Sequence, residues 1–428
     1  MRNHLPLILI LTAFATGGCG SDDTANPSEP GSDAGPESGI DAAPDALDDV
    51  SDESTADASP DAAPVTSISF TQRSVTTVVE AGGDHLAFPD VTRLSDGRIL
   101  LAYRRGSDHV DASGKIMKVF ADADATTWSA EEVLYDAPGI DDRDPSVTTL
   151  ADGTVVVNYF QYETLAAGVT VHDNFVGWSM DDGATFSDFE QVGSCPMNVQ
   201  DPQLVNDLWV DDQGDPFDVY ASSSSVLAYE GELLMPVYGG RPLNLSNLAG
   251  HPRSRLSLFK TSALGSAWTE SLVEPQLAED TWLMEPALLA LPDGKLIMHV
   301  RTADGASPGS AGNLLQTTSS DGGAGWSDYE DLGFVGHAPE LLRLDNGVLL
   351  SAFREINDAF TKEWVSMMYS LDDGATWSDR IRVRDCGASE CGYPGLLELD
   401  GDALLIVYYA PGGQSVDAAV YGFSVANQ

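Results

Sequence analysis

Ser370-Leu371-Asp372-Asp373-Gly374-Ala375-Thr376-Trp377 decides the fold, because the same turn is written twice more, as Ser179-Met180-Asp181-Asp182-Gly183-Ala184-Thr185-Phe186 and Ser319-Ser320-Asp321-Gly322-Gly323-Ala324-Gly325-Trp326. Each fits Ser-x-Asp-x-Gly-x-Thr-Trp. The Asp side chain can bond nearby backbone amides, Gly can take positive φ, and the aromatic can pin the hairpin to a neighbouring element. Such repetition marks a propeller or a solenoid and carries no catalytic information.

A second repeat runs in step with the first. Phe88-Pro89-Asp90 leads through Val91 to Leu94, a Ser95-Asp96-Gly97-Arg98 turn follows, and the apolar run Ile99 to Tyr103 comes next. The same order recurs at Pro145 with Gly153, Pro286 with Gly294, Pro339 with Gly347 and Pro394 with Gly401; a weaker copy without the proline spans Val226 to Leu234. A turn of this kind between two short apolar runs is a hairpin signal. Six copies predict an all-β, six-bladed β-propeller. The distance from turn glycine to aromatic is nearly constant (Gly97 to Trp128, Gly153 to Phe186, Gly231 to Trp268, Gly294 to Trp326, Gly347 to Trp377), which implies one four-stranded sheet per repeat. The turns ending at Trp128 and Trp268 read as degenerate, with Ala or Thr in place of Asp or Ser. The sixth repeat reaches Gln428 without a turn, so the alternating stretch Ile68 to Val79 is expected to add the last outer strand beside Val420 to Phe423.

Residues 1–64 read differently. Arg2 and the apolar Leu5 to Phe14 have the form of a signal peptide, and Thr16-Gly17-Gly18-Cys19 resembles a bacterial lipoprotein signal, which implies cleavage after residue 18 and lipid attachment at Cys19. An ordinary secretory signal with an incidental cysteine is the alternative. From Gly20 to Pro64 the chain has 13 Asp or Glu and no Lys or Arg, among Ala, Pro, Ser and Gly. Such a segment buries too little apolar surface to order itself, so 19–64 is expected to be a disordered acidic tether and 65–428 the propeller.

The formal charge is −46, from 67 acidic and 21 basic residues, and most of the acids lie outside the tether. Nucleic acid and anionic membrane surfaces need a basic footprint, so the charge argues against both as partners. Of the four cysteines, Cys386 and Cys391 suit a short disulfide loop leading to Tyr393, which would leave Cys195 unpaired; other pairings stay open. The seven histidines are scattered, and the acidic loop Asp211-Asp212-Gln213-Gly214-Asp215 lacks a full calcium ligand series, so no metal and no cofactor is expected.

In a propeller the inner strands meet around the axis, and residues at their ends line one concave mouth. Beside the prolines the chain offers Asp90, Arg143 with Asp144, Glu285, His337 with Glu340, and Tyr393. After the second apolar runs it offers Arg104 with Arg105, Arg301, and Arg354 with Glu355. The competing reading is that these groups only pair with one another between blades.

The three turns resemble the Asp-box repeat of the sialidase (neuraminidase) superfamily, and the likeness extends over residues 66–428. The resemblance implies a glycosidase in which a Tyr, activated by a Glu, attacks the anomeric carbon. An anionic anomeric centre repels a carboxylate nucleophile, so a phenol takes that role. Cys391-Gly392-Tyr393-Pro394 matches the nucleophile segment, and Glu285 and Arg301 match the base and one arginine of the carboxylate clamp. Asp108 or Asp111 falls where the acid/base loop is expected. The pattern departs at Leu86-Ala87-Phe88-Pro89, where Ala87 replaces the central clamp arginine, and at Val407-Tyr408-Tyr409-Ala410, which lacks that arginine's supporting Glu. Arg143, Arg104 and Arg354, with Asp144 and His337, then make up a rebuilt substrate-binding set. The implied function is an exo-acting glycoside hydrolase on a terminal sugar, sialic or otherwise acidic, monomeric and held in the bacterial cell envelope by the lipid on Cys19. The alternative is a non-catalytic glycan-binding propeller using Trp178, Trp209, Trp282 and Trp364 for stacking.

Overall fold

The computed structural model describes residues 65–427, apart from 166–168, 194–202, 206–207, 211–217, 241–253, 275–280, 305–308 and 358. The signal segment, the tether, Cys19, Cys195 and the acidic loop at 211–215 lie outside the described residues. No helix among the described residues is long and apolar enough to cross a membrane.

Among the described residues six antiparallel blade sheets follow one another, and a separate two-stranded hairpin, Gln203–Val205 with Leu208–Val210, stands between blades two and three in the sequence. Blade one is His85–Arg93, Ile99–Gly106, Lys115–Ala121 and Glu132–Tyr135; blade four is Thr281–Ala290, Leu296–Asp304, Leu315–Ser319 and Glu330–Asp331. Blades two and five repeat the plan from Asp141–Thr149 and Val335–Arg343. In blade three, the copy without a proline, the innermost strand is split into Val219–Ala221 and Leu227–Tyr229, both paired with Glu232–Gly240. Blade six begins at Gly392–Leu399 and takes its outer strand from the other end of the chain. Val65–Glu80 lies antiparallel to Ser415–Asn427, with Phe70 opposite Phe423 and Val75 opposite Ala419. The edge of the last sheet is thereby paired and the ring closed.

The repeated turn works as its composition requires. Asp372 Oδ1 accepts from Ser370 Oγ and from Thr376 N, both at 2.8 Å, while Asp372 Oδ2 accepts from Thr376 Oγ1 at 2.6 Å. Gly374 sits at φ +80°, and a Cβ there would lie 2.8 Å from Ile297 of the preceding blade. Trp377 donates to Gln316 of that blade at 2.8 Å and packs over the cluster of Ala287, Leu291, Ile297, Leu341 and Leu349. One of the two turns that read as degenerate keeps the Asp-to-Thr bonds although it lacks the Ser and the Gly of the repeat. Asp122, offset by one position, accepts from Thr126 N at 2.7 Å and Thr126 Oγ1 at 2.6 Å.

The five prolines do more than mark strands. Pro has no N–H for the ladder, and the residue before it is barred from the right-handed helical region. In all five blades that residue has positive φ: Phe88 (56°), Asp144 (46°), Glu285 (46°), Ala338 (45°) and Tyr393 (46°). The strand register shifts at the same point each time, between Ala87 and Asp90, Arg143 and Ser146, Met284 and Ala287, His337 and Glu340, and Gly392 and Gly395. Of these pre-proline residues, Asp144, Glu285 and Tyr393 line the mouth of the ring, while the post-proline residues Asp90, Ser146 and Glu340 line a narrower space beside it.

Candidate active site

The mouth is a cavity of about 240 Å³ whose wall includes Arg143, Asp144, Glu285, Arg301, Arg354 and Tyr393. Below it a narrower space of about 20 Å³ is lined by Phe88, Asp90, Asp144, Ala338, Glu340 and Tyr393.

Tyr393 donates its hydroxyl proton to Glu285 Oε1 at 2.6 Å, although the two residues belong to blades six and four. Arg301 donates to the same oxygen, and the Ala338 amide donates to Glu285 Oε2 at 2.8 Å. Both carboxylate oxygens are thus oriented. Burial, and then the Glu285 charge, push the Tyr393 phenol well above its ordinary value, so it rests neutral and its proton has one acceptor. Phe88 stacks edge-on against Tyr393, with ring centres 4.6 Å apart.

Asp144 lines both spaces and its Oδ1 is buried without a hydrogen-bond partner. Burial raises its pKa to about 7, Glu285 adds to the rise, and Arg143, whose Nε is 3.8 Å away, opposes it. Each guanidinium of the cavity already faces a carboxylate. Arg354 lies 2.7 Å from Glu363, Arg143 lies 2.9 Å from Asp141 and also donates to His109 O at 2.6 Å, and Arg301 is held by Glu285. His337 is buried in the wall with Nε2 unpartnered. Burial, with Arg301 and Arg354 nearby, lowers its pKa well below the ordinary value and keeps it neutral.

Three sequence candidates are placed elsewhere. Arg104 is fully buried, paired with Asp141 at 2.7 Å, and does not line the cavity. Its guanidinium binds the carbonyl oxygens of Asp108 (3.0 Å) and Asp111 (3.4 Å). That grip turns the carboxylates of Asp108 and Asp111 outward, where they accept from the backbone amides of His109 (2.7 Å) and Ser113 (2.9 Å). The loop therefore presents His109 and Val110 to the cavity in place of either aspartate. Of the four tryptophans singled out for stacking, Trp178, Trp282 and Trp364 belong to blade packing and do not line the cavity; the Trp209 side chain is outside the described residues. The aromatic wall is Phe160, Tyr162, Tyr238 and Phe360 instead. The sequence reading did not single out Phe88, Tyr238, His109 or Glu390. Phe88 occupies the pre-proline position that Asp144, Glu285 and Tyr393 share, which is the signal that would have found it.

The profile of the BNR repeat-like domain matches residues 97–406. A protein of unknown function from Dyadobacter fermentans superposes with a TM-score of 0.67 at 22% identity, over 83% of this chain and 99% of that one. A Hadza microbial sialidase does so at 0.57 and 16%, covering 83% and 68%. An alpha-L-arabinanase of Penicillium chrysogenum, solved with arabinobiose, gives 0.58 and 15%, covering 82% and 98%. No curated protein sequence matches the chain. At these identities the structural likeness concerns the fold, which sialidases and an arabinanase share.

Proposed function

The chain belongs to the BNR repeat-like domain family, and on that premise we propose that it is an exo-acting glycoside hydrolase that removes a terminal sugar from glycans. The observation that carries the reading is the 2.6 Å hydrogen bond from Tyr393 to Glu285 inside a cavity to which three pre-proline side chains turn. The cavity is small beside the roughly 300–1,000 Å³ common for ligand sites, which suits one terminal residue better than a polymer laid through a cleft. Solved relatives of the fold include a sialidase and an arabinanase, which supports a glycosidic bond as the target.

In the first step the Tyr393 oxygen attacks the anomeric carbon while its proton passes to Glu285 Oε1. The glycosidic bond breaks as the protonated Asp144 carboxyl gives its proton to the departing oxygen. In the second step Asp144, now ionised, takes a proton from water, and the resulting hydroxide displaces Tyr393, which recovers its proton from Glu285. Arg301 and the Ala338 amide keep Glu285 aimed throughout. Asp144 takes the acid/base role first read onto Asp108 or Asp111, because its carboxyl faces the cavity and theirs do not. Arg143, Arg354 and His337 position the sugar. We propose further that residues 1–18 export the protein, that Cys19 carries lipid in the bacterial cell envelope, and that 19–64 tether a monomeric propeller of residues 65–428.

The test is release of 4-methylumbelliferone from a panel of glycosides, including the sialoside, by the purified full chain. Turnover of at least one sugar, falling on the order of 10³-fold or more in Tyr393→Phe, is the expected result. Binding on a glycan array with no turnover of any sugar would replace the enzyme with a glycan-binding propeller.

A further inference from the structure

His85, His109 and Glu390 stand far apart in the chain and meet at one edge of the cavity. His85 begins the first strand of blade one, His109 lies in the loop between Ile99–Gly106 and Lys115–Ala121, and Glu390 lies between Ile381–Gly387 and Gly392–Leu399. One donor atom from each falls within 4.8 Å of the others. His85 Nε2 is 3.0 Å from Glu390 Oε1, and His109 Nδ1 is 2.9 Å from the same oxygen. The His109 contact is off the hydrogen-bonding direction, and that buried nitrogen has no hydrogen-bond partner. His85 hydrogen-bonds Glu390 Oε1 and His109 Nδ1 crowds the same oxygen without such a bond, an arrangement that an ion between the three would complete.

From this convergence we infer a divalent transition-metal site of the two-histidine, one-carboxylate type, with zinc as the natural occupant. Imidazole nitrogen with a single carboxylate suits borderline ions such as zinc and does not suit calcium or magnesium, which take oxygen ligands. Metal–ligand distances of about 2.0–2.2 Å draw the two imidazoles and the carboxylate onto one centre. Three protein ligands leave coordination open, and the opening faces the cavity, because His109 and Glu390 are both part of its wall.

The ligands are held as a metal site needs. The Cys386–Cys391 disulfide closes the loop that carries Glu390, and the Gly412 amide donates to the Glu390 carbonyl at 2.8 Å. Gly413 leaves the space the His85 ring fills, since a Cβ there would lie 2.5 Å from it. The His109 backbone is fixed by Arg143 on its carbonyl and by Asp108 on its amide. The two nearby cations, Arg143 and Arg354, are each compensated, by Asp141 and Glu363. A bound ion would offer a substrate hydroxyl or carboxylate a Lewis-acid contact that the arginines, already paired, do not.

The site is tested on the full chain, stripped with a chelator, dialysed and titrated with zinc chloride by calorimetry. Cobalt(II) serves as a spectroscopic probe. One equivalent of zinc is expected, together with the visible absorption of low-coordinate cobalt. His109→Ala and Glu390→Gln should each weaken zinc at least about tenfold and erase the cobalt spectrum while near-ultraviolet circular dichroism stays that of the parent. His109 is at the rim of the cavity, so its variant keeps the test sound should Glu390→Gln disturb its loop. Failure of the parent chain to take up zinc or cobalt would overturn the site, as would binding that both variants retain unchanged.

Discussion

Asp144, Glu285 and Tyr393 share one uncommon backbone state, and that state brings their chemistry together. A non-glycine residue at positive φ costs about 1–3 kcal/mol. Here the following proline has already removed the right-handed alternative, and the bulge absorbs the missing ladder bond. The strain is thus part of how the side chains are aimed. Asp144 gives the clearest consequence. With a pKa raised to about 7, its carboxyl is protonated below that value and able to act as an acid. The expected kcat/KM therefore falls about tenfold per pH unit above pH 7, and Asp144→Asn abolishes that limb while lowering the rate roughly 10²–10⁴-fold. A pH–rate profile that stays flat to pH 9 would take the acid role away from Asp144.

At the scale of single elements, the repeated turn holds each outer hairpin against the preceding blade, and its chemistry tolerates an offset. Ala123 stands where the repeat calls for aspartate, yet Asp122 makes the corresponding bonds to the amide and hydroxyl of Thr126, both partners one position earlier than in the other turns. Asp122→Ala should consequently destabilise the chain by about 1 kcal/mol, as much as Asp372→Ala, measured by urea unfolding. An effect confined to Asp372→Ala would mean that the offset bonds of blade one carry no weight. Strand Val65–Glu80 is the other decisive element. Its pairing with Ser415–Asn427 joins the beginning and end of the ring in one sheet, with Val65–Glu80 as the outermost strand of blade six.

Across the whole molecule, buried carboxyls set the pH response. Burial raises Asp90 to about 6 and Asp142 to about 7, and pushes Asp173 and Glu340 well above the ordinary carboxyl value; the Asp90 charge adds to the rise at Glu340. Asp90 is a bolt between blades, accepting from Val147 N at 2.7 Å and from Ser225 Oγ at 2.8 Å. These groups hold protons in the folded state that the unfolded chain releases near pH 4. Their contribution to stability is complete below about pH 4 and is lost as pH rises through 6 to 7. Glu390 works in the opposite sense: burial is outweighed there by His109, His85 and Arg354, its pKa is held low, and its contribution is lost only in strong acid. The melting temperature should accordingly peak near pH 5 and decline by pH 8, where the excess of acidic residues adds repulsion. A melting temperature that rises steadily from pH 5 to pH 8 would contradict the raised pKa values.

The number of blades and the closing role of residues 68–79 were legible in the sequence because they follow from local rules: period-two apolar runs, Asp-Gly turns and a repeated side-chain-to-amide bond. Tyr393, Glu285 and Asp144 were legible for the same reason, being tied to prolines that repeat. The 2.6 Å meeting of Tyr393 with Glu285, and which carboxyl faces the cavity, were decided by tertiary structure. So were the outward turn of Asp108 and Asp111 under Arg104 and the gathering of His85, His109 and Glu390. Each depends on segments tens to hundreds of residues apart being held side by side, and spacing along the chain carries no information about distance across a closed ring.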